Sequence, residues 1–436
     1  MRADRPAILT TAGCLALAGM LAVTVLLSAA TPADAAVHVP RTHRTIQAGI
    51  DAASAGDTIF VSPGTYTGPF TIKKKVLLFG AQGPDTTILD GGDAARVLSV
   101  EGVSGGGIVG FTIRRGRSNS GGGIHIVRSS GFLVAGNILE KNWESAISIW
   151  QSENVDVRDC RFIENQGSAI TMTSSTGLIR SCEFLRNRGN SGGAIALVSS
   201  RILFPIRGCN FEGNHADGAN GGAILADSSE ALVLEGWFEK NTAKLAGGAV
   251  AVVRGSRVTL SRSRFTENEA STGGAVQVDQ ATLTAGLCVF DLNRAKGAAG
   301  AAMTIVGRGP AGVNPTIQSN TFYRNAAAEG GGTIWAAERV SPEIVKNIFV
   351  MAPQQRTFVG IQQSTPHFEC NLVHDPSGAA LASLPSADTL VGDPLFCDEA
   401  KGDFYLRDLS PAVLASCGPI GALPKKCASF KMVPSK

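Results

Sequence analysis

The chain is poor in aromatic residues (6%), in charge (17%) and in tyrosine and tryptophan, with three and four copies in 436 residues. A net charge of +3 lacks the excess of one sign that nucleic acid demands. No Cys-x-x-Cys and no paired His spacing occurs, which removes the common metal signatures and leaves metal unexpected. After the apolar run Cys14–Leu27, no stretch approaches the 18 residues of a membrane span. No helical periodicity separates the short Val-, Ile- and Leu-rich runs of the middle of the chain.

What the chain has in quantity is glycine, 52 residues, and a repeat. From Arg207 to Asn293, a Phe followed three residues later by Asn recurs at spacings of 27, 27 and 25 residues, and Gly-Gly-Ala with an alternating apolar run follows the first three copies. A unit this short cannot bury its own apolar face, so copies must stack and share a core. Short β runs set off by Gly, Asn and Ser make each unit one turn of a parallel β-helix. The register predicts one interior row through Leu139, Phe162, Phe184, Phe211, Phe238, Phe265, Phe290, Phe322 and Phe349. An amide ladder is predicted through Asn142, Asn165, Asn187, Asn214, Asn241, Asn268, Asn293 and Asn325. The Gly-Gly pairs have no strand-to-helix context for cradling phosphate and read as bend residues.

Phe-x-x-Asn with Gly-Gly-Ala-Ile or Gly-Gly-Ala-Val resembles the repeats of polymorphic outer membrane proteins. More broadly, residues 45–373 resemble the right-handed parallel β-helix, or pectin-lyase-like, superfamily. The resemblance implies an all-β solenoid of roughly 11–13 coils, a short N-terminal capping helix and a C-terminal cap. It leaves function open between polysaccharide enzymes and adhesins. Residues 45–92 resemble the superfamily's entry region, with Ile46, Ile50 and Ala53 on one face of a plugging helix. That opening is similar to the one in pectin methylesterases, but Tyr66 is followed by Thr67 and Gly68 where that family has Glu after the Tyr, and none of its catalytic carboxylate segments follows. Residues 392–423 resemble the closing segment of bacterial exported β-helices.

The expected organisation is a signal peptide over 1–35, an N-terminal cap over 36–57, the β-helix over 58–391, and a C-terminal cap and tail over 392–436. The protein is expected to be secreted or at the cell surface, with no membrane span once the signal is removed. An autotransporter passenger is disfavoured because Lys436 leaves no room for a translocating barrel. The insertion Arg308–Asn314 should project a loop. Cys160, Cys182, Cys209 and Cys288 lie two residues before the row Phe, as Cys370 lies two before Leu372, so buried thiols are expected there. Cys417 with Cys427 is the preferred disulfide, leaving Cys397 to Cys370 or free.

Residues flanking the inward Phe, and the bend residues three and four before it, should face out. This assembles Arg158, Arg180 and Arg207 in one row, beside Trp237, Arg262 and Arg264, which together make a candidate ligand surface. An aromatic platform with arginines suits a sugar polymer bearing carboxylates. Glu212, Glu235 and Glu239 are the candidate catalytic carboxylates. Glu212 and Glu239 on adjacent coils would act as acid and base or share a cation, calcium being the one the pair leaves open; no cofactor is indicated. The alternative for all these charges is surface ion pairing. Two functions follow: an exported protein binding polysaccharide or cell-surface glycan through its lateral face, or a lyase, hydrolase or epimerase acting on a uronate-containing polymer. A groove walled by loops at Trp237 would separate them.

Overall fold

A computed structural model describes residues 37–307, 314–378, 384–423 and 427. The expected signal peptide and, apart from Asn314, the insertion lie outside the described residues. The rest is a parallel β-solenoid of about 13 turns.

The turn that starts at Glu230 shows how sequence makes a coil. A first-sheet strand, Glu230–Leu234, bends into a second-sheet strand, Trp237–Glu239, which bends into the third sheet through Thr242–Ala243 and then Val250–Val253. The next turn begins at Arg257. The strands of the coils pair in parallel with their counterparts one turn away, and Phe238 aligns with Phe211 on one side and Phe265 on the other; Phe396–Asp398 and Asp403–Leu406 pair antiparallel outside the coils. The Phe rings stack at 4.5 to 5.0 Å along the row from Phe162 to Phe349, as the register predicts. All of them are buried.

The bends use residues in the left-handed region whose own side chains point outward, in this turn Glu235, Lys240 and Arg254, with φ of 57°, 54° and 50°. Lys240 is followed by the inward Asn241, and Arg254 by Gly255 and then the inward Ser256. The backbone groups freed at the bend are then met by the inward side chain. Asn241 Nδ2 donates to Asn268 Oδ1 at 3.0 Å and to the Phe211 carbonyl at 2.9 Å, and its Oδ1 accepts from the Asn214 backbone N–H at 2.9 Å. The predicted Asn row repeats this from Asn142 to Asn325. Gly221, Gly247 and Gly273 take the left-handed bend after the short third-sheet strands (φ 70°, 66° and 59°), the bend role read for the Gly-Gly pairs.

Two further ladders close the other bends. Ser129, Ser152, Ser175, Ser200, Ser229 and Ser256 form one, each hydroxyl accepting the N–H of the residue one turn earlier, as Ser229 N does to Ser256 Oγ at 3.0 Å. The sequence reading missed it, because Ser is common in loops and carries no aromatic marker. The other ladder holds the buried free thiols Cys160, Cys182, Cys209 and Cys288, with Asn137 before them and Asn320, Asn347 and Asn371 after. Burial raises the Cys160 and Cys182 thiols well above their ordinary range and pushes Cys288 up to about 12, so they stay protonated.

Cys370 departs from the expected row. Val373, not Leu372, aligns with Phe349, so Asn371 takes the inward place. Cys370 becomes the left-handed bend residue, with φ of 53°, and turns outward to a disulfide with Cys417. Cys397 bonds Cys427. The expected Cys417–Cys427 pair is therefore wrong, because register decides which thiol leaves the bore.

At the N-terminal end, Val37–Val39 starts the first sheet by pairing with Thr58–Val61. Thr45 caps the helix Ile46–Ala52, which adds Ile46 and Ile50 to the main core. At the far end Leu384 packs on that core, while residues 396–422 lie along the flank of the second sheet. There Phe396, Phe404, Leu406, Ala412 and Ile420 cover Val289, Tyr323, Ile348 and Val350, making a second core outside the bore.

Candidate functional site

The residues singled out from sequence fall at the predicted register on two neighbouring sheets, Arg158, Arg180 and Arg207 on the first and Glu212, Trp237, Glu239 and Arg264 on the second. Arg158, Arg180 and Arg207 align on successive turns. Their charges are met locally: Asp156 lies 3.6 Å from Arg158 and 3.3 Å from Arg180, and Glu235 lies 3.0 Å from Arg207. The bend row pairs too, Arg186 with Glu164 at 3.0 Å and Lys240 with Glu267 at 3.7 Å. Exposed pairs of this kind contribute at most about 1 kcal/mol each. In this row the structure shows the surface ion pairing weighed as the alternative to a ligand surface.

Trp237 faces outward, half-buried, with the Arg264 guanidinium over its ring at 5.1 Å and its Nε1 donating to Glu239 at 3.3 Å. Arg264 also reaches Asp291, the Gly402 carbonyl and the Phe404 ring, so it holds the C-terminal segment. Between that segment and the sheet runs a cleft of about 930 Å³. It gathers Glu235, Trp237, Arg262 and Arg264 opposite Leu406, Val413, Ile420 and Leu423. Glu212, Glu239, Arg158, Arg180 and Arg207 do not line it. Glu212 and Glu239 sit side by side in register on one face, not across a cleft, and Glu239 lies 3.2 Å from Lys240. No group of three or more His, Cys, Asp or Glu among the described residues is placed to hold a metal ion.

A second groove, of about 700 Å³, opens on the third sheet. Its floor comes from outward positions of consecutive strands. His125, Ser148, Thr171, Ala196 and Leu225 align in one row, and Trp150, Thr173 and Val198 in the next. Trp150 is 40% exposed. Asn119, Ser120 and Gly121 form one rim, with Asn190 and Ser191 at the other end. The first rim is pinned from below by Arg96, whose Nε donates to the Gly121 carbonyl at 3.0 Å and whose Nη2 donates to Ser118 Oγ at 2.9 Å and the Ser120 carbonyl at 2.8 Å.

His125 faces outward and is half-buried in this groove. Burial, then the charge of Arg96, lowers its pKa, with Glu101 opposing, so the imidazole is neutral at neutral pH. Its Nδ1 is buried with no hydrogen-bond partner. Sequence reasoning missed this groove. The loop between each ladder Asn and the third-sheet strand changes length along the chain, so the period of the Phe row does not carry into this face. The available signal was the strand Trp143–Trp150, whose alternation turns Ser148 and Trp150 outward.

A family model described as "Right handed beta helix region" matches residues 85–210. A search of curated proteins finds no match. Among solved structures, a variant of the PL6 family alginate lyase AlyGC aligns with a TM-score of 0.52 at 14% identity, over 91% of this chain and 58% of that one. The PL6 family polysaccharide lyase of Pseudopedobacter saltans aligns with a TM-score of 0.42 at 12% identity, over 88% and 97% of the two chains. A pectate lyase aligns with a TM-score of 0.33 at 13% identity, over 66% and 72%. The chain spans 58% of the length of the alginate lyase it matches, and at such identity the likeness is one of fold. The solenoid is a right-handed parallel β-helix.

Proposed function

We propose that this protein binds polysaccharide through its lateral face, at the third-sheet groove. One observation carries the reading: Trp150 stands exposed beside stacked rows of hydroxyls. An aromatic face takes the C–H face of a sugar ring, while Ser148, Thr171 and Thr173 read its hydroxyls. Strands repeat about every 4.8 Å, so the hydroxyls of Ser148 and Thr171 stand on successive turns along a linear polymer laid across them. The fold it shares with the alginate lyase is consistent with this. Export through the N-terminal segment is part of the proposal; no helix of the described residues is long and apolar enough to cross a membrane. The test is a glycan array probed with wild type and Trp150→Ala, each checked for the same unfolding midpoint. Polysaccharide binding that Trp150→Ala abolishes supports the reading; equal binding by both proteins refutes it.

A second reading, a polysaccharide-active enzyme, has one observation in its favour: His125 places a neutral imidazole in the same groove, able to accept a proton. Glu212 and Glu239 supply no facing acid and base. Incubating each array hit with the protein and following chain length or unsaturated ends decides between binding and turnover.

A further inference from the structure

We propose that the groove takes a neutral polysaccharide and rejects uronates; this rests on the groove being a glycan site. The argument is charge accounting. Of the side chains that line the groove, Glu144 is the one carboxylate, and no Lys or Arg is among them. His125 does not make up the deficit, because its burial in the groove, and then Arg96 beside it, disfavour the protonated ring. Arg96 is the cation beside the groove, and its Nε and Nη2 are committed to the rim carbonyls of Gly121 and Ser120 and to Ser118 Oγ.

A uronate chain would bring one carboxylate per sugar into this space. Each would lose water without gaining a charged hydrogen bond, and would meet Glu144. A neutral chain has only hydroxyls to satisfy. The groove offers hydroxyl and amide partners at Ser148, Thr171, Thr173, Asn119 and Asn190, with Trp150 for the apolar ring face. The arginine row that suggested an acidic polymer, Arg158, Arg180 and Arg207, lies on a different sheet and is ion-paired.

The experiment titrates the full exported chain with neutral polymers (β-glucan, α-glucan, xylan, mannan) and with alginate and polygalacturonate, at low and high salt. The expected result is binding to at least one neutral polymer, insensitive to salt and weakened roughly tenfold, ~1.4 kcal/mol, by Trp150→Ala. Thr173→Lys, which adds a cation to the groove floor, should confer salt-sensitive binding of an acidic polymer. Tighter binding of an acidic polymer by wild type, lost in Trp150→Ala, overturns the charge inference while leaving the glycan groove intact. Binding of no polymer, or binding unchanged by Trp150→Ala, overturns the groove reading itself.

Discussion

Arg264 reaches one turn along the solenoid to clasp Asp291, with Nε 3.2 Å from Oδ1 and Nη2 3.0 Å from Oδ2, beneath the C-terminal segment. Burial raises the Asp291 carboxyl, and Arg264 followed by Thr266 pulls it back down. The pair joins the solenoid wall to the segment that covers it. Removing one partner strands a buried charge, so Arg264→Ala should cost about 3–5 kcal/mol in urea unfolding. It should also expose the segment near Gly402 to limited proteolysis. An unchanged midpoint with an intact segment would show that the clasp does not hold it.

Phe238 sits between two parallel rings and Trp237 lies on the opposite side of the same strand. Phe238→Ala should destabilise by about 3–5 kcal/mol. Trp237→Ala should cost less, although more than a solvated residue, because Arg264 packs on its ring. Denaturant midpoints in the reverse order would contradict the inward and outward assignment.

Asn241 and Lys240 are neighbours with opposite expectations. Asn241→Ala should cost about 1–3 kcal/mol for each buried backbone group left without its partner. Lys240→Gly should leave stability unchanged or slightly higher, since glycine adopts the left-handed backbone there without strain. Equal losses from both changes would refute the ladder account.

His125 makes stability depend on pH. Its pKa is lowered from 6.5 in the folded protein, so as pH falls through that value the unfolded chain takes up a proton that the folded one refuses. The stability present above pH 6.5 is therefore lost as pH drops toward the folded value. His125→Gln should flatten this part of the profile. Urea midpoints measured on both proteins at descending pH check it, and parallel profiles would show that His125 contributes nothing.

Peptide mapping without reduction should recover Cys370 joined to Cys417 and Cys397 joined to Cys427. The same maps should show Cys160, Cys182, Cys209 and Cys288 unmodified by alkylating reagent until the protein unfolds. A Cys417–Cys427 peptide would restore the pairing expected from local sequence.

What the sequence determined by itself is the coil. In a solenoid each residue meets its counterpart one turn away, so a row of Phe162 to Phe349 or Asn142 to Asn325 is legible as a period. The same rule placed Arg158, Arg180 and Arg207 in one row, Glu212 beside Glu239, and Trp237 outward. Tertiary structure decided what lies between and across turns. Long side chains such as Arg207 and Arg264 reach partners that no period specifies, and a shift of one residue at the last turns took Cys370 out of the bore and into a disulfide. The C-terminal segment settles on the flank because Val289, Tyr323 and Ile348 present apolar side chains there, far from it in sequence. The third-sheet groove exists because loops of unequal length rise around strands of regular register, and unequal loops carry no repeat to read.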